Sequence, residues 1–118
     1  MSQKETVVDQ AYDLLLYLVP QLAKYPRSQK FLLADRIQTQ VTDLLEVLVE
    51  AYYSPRDAKR PLLLRANLML EKIRYQVRLS KDLRCISVER YGVISGKVDE
   101  IGRAVGGWLK AGNKAQAT

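Results

Sequence analysis

The residues with the most chemical reach in this chain are cations. Arg74, Arg78 and Lys81 stand at i, i+4 and i+7 within KRPLLLRANLMLEKIRYQVRLSKDLR, residues 59–84, which puts them on one face of a helix. Arg60 belongs to the same flank, Arg84 lies just past the expected helix end, and Arg90 opens the next helix. A second basic line, Arg65 and Lys72, runs along the other flank. Arginine dominates the set, and its planar guanidinium donates paired hydrogen bonds to phosphate, so the chemistry on offer is recognition of an anion. The plainer alternative is a solvated face with pairs such as Glu71 to Arg74. For Arg65 and Lys72 it is pairing with acidic residues of the preceding helix.

Bond-making chemistry has little to draw on. There is no histidine, the commonest general base, metal ligand and triad member. Cys85 stands alone with no imidazole to activate it and reads as a small structural hydrophobe. The Glu-x-x-His pairs of carboxylate di-metal bundles are missing, so no metal or cofactor is expected and no residue is assigned as catalytic. Gly92 and Gly96, like Gly102 and Gly106, are spaced as GxxxG. No strand or Gly-Lys-Ser/Thr makes this a phosphate loop, and charged neighbours exclude a transmembrane dimer motif. Close helix packing is the expectation.

Composition sets the frame. With 118 residues, 47% hydrophobic, 27% charged and only six Gly and four Pro, the chain fits one helical domain with a self-standing core. A single cysteine fits a reducing compartment, and neither a membrane span nor a leader is legible, so the expectation is a cytoplasmic protein. Charge is unevenly placed. Residues 1–55 carry five Lys and Arg against seven Asp and Glu, whereas residues 56–118 carry fourteen against six. Such asymmetry is a footprint of nucleic-acid binding.

Helical periodicity then supplies the scaffold. Four helices are expected over about residues 5–24, 28–53, 57–83 and 87–110, with 112–118 as a flexible tail. Pro20 should kink the first near Tyr17; Ser28, Asp57 and Ser87 are the expected caps of the others. The second helix should bury Phe31, Ala34, Ile37, Val41, Leu44, Leu45, Leu48, Val49 and Tyr52. Short connections between long helices predict an all-α, antiparallel up-down-up-down four-helix bundle.

The third helix carries more apolar surface than one core needs. Leu62, Ala66, Met69, Leu70, Ile73 and Val77 form one stripe, while Leu64, Leu68, Tyr75 and Leu79 form another nearly opposite. In the last helix Gly92, Gly96 and Arg103 also project away from the apolar stripe. The second stripe and the glycine surface are therefore expected to be subunit interfaces of a homo-oligomer.

The segment YLVPQLAKYPRSQKFLLADRI, residues 17–37, resembles the accessory variability determinant (Avd) proteins of diversity-generating retroelements. Pro20 inside the first helix, Pro26-Arg27 at the turn, the basic third helix and Gly-Gly-Trp-Leu at 106–109 agree with it, and the likeness spans about Ala11 to Ala111. Ribosomal-RNA intervening-sequence proteins share the four-helix pattern. The resemblance implies a non-enzymatic accessory protein that forms a basic, barrel-like pentamer. It also implies binding to the element's reverse transcriptase and to nucleic acid during mutagenic copying of template RNA into cDNA for retrohoming. The helix-three cations are then the candidates for contact. Two other readings remain: a bundle that docks on a protein partner, and an intervening-sequence-type protein with no reverse transcriptase.

Overall fold

Apolar residues recur at alternating intervals of three and four through each long segment, and that spacing generates the core. Val7, Ala11, Leu14, Leu18 and Leu22 are buried from the first segment, and Ile37, Val41, Leu44, Leu48 and Ala51 from the second. Leu63, Ala66, Leu70, Ile73 and Val77 follow from the third, and Ile94, Val98, Ile101, Val105 and Trp108 from the fourth. The computed structural model describes the backbone of residues 3–117 and the side chains of residues 7–112. In chain order the elements are α1 (Gln3–Leu22), a short turn α2 (Arg27–Gln29), a π-helical turn (Lys30–Ala34), α3 (Asp35–Tyr53), α4 (Arg56–Asp82) and α5 (Val88–Ala117). α1 and α4 each pack against both α3 and α5, so the four long helices form a four-cornered bundle with α1 diagonal to α4. No strand occurs among the described residues. Nor is any helix there long and apolar enough to cross a membrane.

α1 runs unbroken through Pro20. The amide this proline lacks would have bonded the carbonyl of Leu16, which lies on an exposed face where water can take its place. Several other local expectations need correction. Ser28 and Asp57 do not cap; the N-cap positions are Pro26 and Pro55, neither with a side-chain cap bond. Ser87 does cap α5: the backbone N–H of Arg90 donates to its Oγ at 3.1 Å. α5 is helical as far as Ala117, where a tail was expected from residue 112; Thr118 lies outside the described residues. Gly112 is the residue that would have ended it, but its φ is not positive, and the Lys, Ala and Gln beyond it are good helix formers.

The largest departure is the entry to α3. Phe31, expected in the core, is 67% exposed, and Leu32 is 70% exposed, while Leu33 and Ala34 are buried. Lys30 is the reason. It stands seven residues before Ile37 and fourteen before Leu44, so an uninterrupted α-helix would aim it within roughly 20–40° of the core seam. The wider π turn rotates the segment ahead of it and leaves the ammonium in solvent. On the same count Phe31 and Leu32 already fall roughly 120–140° from the seam, which is why both are exposed. Further along, Val47 is buried and Val49 exposed, the reverse of the expectation for Val49. On α4 the fully enclosed residue of the first turns is Leu63; Leu62 and Met69 are only partly buried.

The connections are also part of the packing. Tyr25, in what reads as a plain connector, is buried against the core. Burial raises the pKa of its hydroxyl above the ordinary value, a hydrogen bond with Ser80 offsets part of that, and neighbouring Cys85 adds to the rise. Ser80 is itself buried, and its Oγ–H donates to the carbonyl of Gln76 at 3.0 Å. Lys59 ties three helices together. Its Nζ donates to the carbonyls of Ala51 (2.8 Å) and Tyr52 (3.0 Å), two acceptors at the end of α3, and lies 5.8 Å from the ring centre of Trp108 on α5.

α4 ends in a Schellman turn. The N–H of Cys85 donates to the carbonyl of Ser80 at 2.8 Å and that of Arg84 to Lys81 at 2.9 Å. Arg84 occupies the left-handed position at φ 63°, where glycine is usual. A side chain there costs on the order of 1–2 kcal/mol, so Arg84→Gly is expected to stabilise the protein by about 0.5–1 kcal/mol after glycine's own entropy cost. The check is the midpoint of denaturant unfolding. A lowered midpoint would show that the Arg84 side chain makes contacts that outweigh the strain.

Candidate nucleic-acid and partner interface

α4 packs against α3 and α5, and the side turned away from both faces out. Leu64, Leu68, Tyr75 and Leu79 all lie on that outer face and are exposed, and Leu83, just past the helix end, is exposed as well. Cations border it on both flanks. Lys72 and Arg65 lie beside it toward α3, and Arg78 and Arg60 toward α5, at the offsets a 100° step per residue gives. The result is an apolar strip between two basic lines on one rod.

The cations differ in what already holds them. Arg74 is clamped: its guanidinium donates to Glu71 one turn earlier and reaches Asp99 on α5 at 3.3 Å, leaving the side chain 33% exposed. A Cβ on Gly102 would meet Arg74 Nη2 at 3.0 Å, so this glycine makes room for the clamp. Lys81 is drawn over the ring of Tyr91, 4.7 Å from its centre, with Asp82 at 3.4 Å. Arg90 donates to the side-chain oxygen of Gln21 on α1. Arg60 is half-buried, and Arg84 is exposed at the turn. Arg78, 62% exposed, has only a 3.9 Å contact with Asp82.

Arg65 and Lys72 depart from the plainer expectation of pairing with the preceding helix. Both are exposed, and neither has an ion-pair partner among the described residues, so they do not pair with the acidic side of α3. With Arg78 they are the least engaged of the cations that border the apolar strip. Arg74 and Lys81, which spacing favours, are largely spent on holding α4 to α5. Spacing along one helix cannot show this, because Asp99 and Tyr91 come from another.

The glycines of α5 also divide. At Gly92, Gly96 and Gly106 an added Cβ would meet nothing within 4 Å, so of the four GxxxG glycines Gly102 alone shows the expected close packing among the described residues. Gly92 and Gly96 form an open, shallow strip on the outside of α5.

Burial pushes the Cys85 thiol up, away from the reactive thiolate. No group of three or more metal-ligating side chains occurs among the described residues. No curated protein matches the chain. A family model described as bAvd-like matches residues 5–112, the span that holds all four packed helices. The chain belongs to the bAvd-like family.

Proposed function

We propose that this is a non-enzymatic accessory protein of a diversity-generating retroelement. It binds nucleic acid and the element's reverse transcriptase, assembles with itself, and so supports mutagenic copying of a template RNA into cDNA. Membership of the bAvd-like family supports the accessory role. The observation that carries the binding surface is the outer face of α4, where exposed Leu64, Leu68, Tyr75 and Leu79 run between Arg65 and Lys72 on one flank and Arg78 on the other, cations with at most one long ion-pair contact among the described residues. The apolar strip closes contacts between copies in a homo-oligomer, which in this reading is a pentameric ring, with Gly92 and Gly96 allowing close approach of a neighbour. The flanking cations then repeat around the assembly and present phosphate-binding groups.

Phosphate contacts of this kind read charge and shape rather than base sequence. Replacing Arg65, Lys72 and Arg78 together by glutamine is therefore expected to weaken RNA binding about equally across unrelated sequences. It should also reduce the slope of log affinity against log salt by up to about 2–3. Binding measured by fluorescence anisotropy at several salt concentrations checks this. An unchanged slope would place the nucleic-acid surface elsewhere.

A further inference from the structure

A second surface lies at the entry to α3, around the π-helical turn. Of the five Lys and Arg residues in the otherwise acidic segment 1–55, four fall within residues 24–36: Lys24, Arg27, Lys30 and Arg36. All four are exposed, and none has an ion-pair partner among the described residues. In their midst, within the π turn, Phe31 is exposed to solvent. Tyr25, Arg27, Lys30 and Phe31 line a shallow, mainly apolar concavity of about 350 Å³. An exposed aromatic ring flanked by unpaired cations is the arrangement that holds a single-stranded nucleic acid, with a base stacked on the ring and the adjoining phosphates on the cations.

We propose that Phe31, with Arg27 and Lys30, is a stacking site for an unpaired base of single-stranded RNA or DNA, lying outside the α4 surface. The proposal rests on the nucleic-acid reading above and adds to it a site with a preference for strand state. Charge complementarity selects this occupant over an apolar protein partner: the ring is bordered by cations, not by a closed apolar rim. The π turn contributes by leaving the ammonium of Lys30 exposed beside the ring of Phe31.

The test compares a short oligothymidylate with the same strand made abasic, which keeps the phosphates and removes the bases. Phe31→Ala is expected to weaken binding of oligothymidylate about tenfold and leave the abasic strand unaffected. Phe31→Trp is expected to keep wild-type affinity, and its indole fluorescence to be quenched as oligothymidylate is added. Replacing Arg27 and Lys30 by glutamine should weaken both strands. Equal affinities of Phe31→Ala and wild-type protein for oligothymidylate, an equal loss on both strands, or a change in assembly mass as the sole effect would each overturn the stacking site while leaving the α4 surface standing. If the wild-type protein binds neither strand nor RNA, the nucleic-acid reading falls with it.

Discussion

Leu70→Ala is expected to destabilise the protein by about 2–5 kcal/mol, the range for removing a fully enclosed leucine and leaving a cavity. Leu70 is completely buried on the inner stripe of α4, in the core cluster to which α3 and α5 also contribute. Neighbouring helices cannot slide to fill the space without giving up their own spacing. Domains of this size are stable by only about 5–15 kcal/mol, so the loss is large enough to shift chemical unfolding plainly. Leu68→Ala, two residues away but facing out, is the companion experiment. It should cost little in the isolated chain, and its effect should grow with protein concentration if the outer face is covered in an assembly. Equal costs at all concentrations would argue that Leu68 touches nothing in solution.

The second large effect is on assembly. Leu68→Glu combined with Tyr75→Glu places two carboxylates at the centre of the outer α4 strip. In a free chain both side chains meet water, so helix content and unfolding at low concentration should change little. At an interface each buried, unpaired carboxylate costs several kcal/mol, enough to abolish an oligomer held by that strip. The expected result is a fall in mass to the single chain's 13.5 kDa with an unchanged circular dichroism spectrum. An assembly that survives the double substitution would move the interface to another face.

How much of this was legible beforehand follows from what helical spacing encodes. A long amphipathic helix states its own inner face, so the core of α4 and its outward second stripe can be read from residues 59–84 without neighbours. Three things cannot. The π turn is one: it inserts a residue into the helical count, and the sequence marks it only by a lysine at a heptad position ahead of Ile37 that would otherwise point inward. Tyr25 is another, because local pattern says connector while its ring packs under the α4–α5 turn beside Ser80 and Cys85. The third is the ranking of the cations. Arg74 and Lys81 share an ideal spacing, but Asp99 and Tyr91 across the helix boundary engage them, and Arg65 and Lys72 are left open. A pairing signal was present in principle, since antiparallel packing of α4 and α5 brings position 74 near 99. Using it required the register between the helices.

The clamp on Arg74 separates two roles that a shared charge conceals. Removing Arg74 should disturb the α4–α5 contact, whereas removing Arg65, Lys72 or Arg78 should leave the fold intact. Binding defects of the second group can therefore be read as losses of contact.

The most direct test of the account is the mass of the purified wild-type chain in solution, measured by light scattering at micromolar concentration. A face of four exposed apolar residues between two basic lines predicts a homo-oligomer, near five times the 13.5 kDa chain mass for a pentamer. A monomer at that concentration would contradict it, and would mean that the outer stripe of α4 meets only water or a different partner.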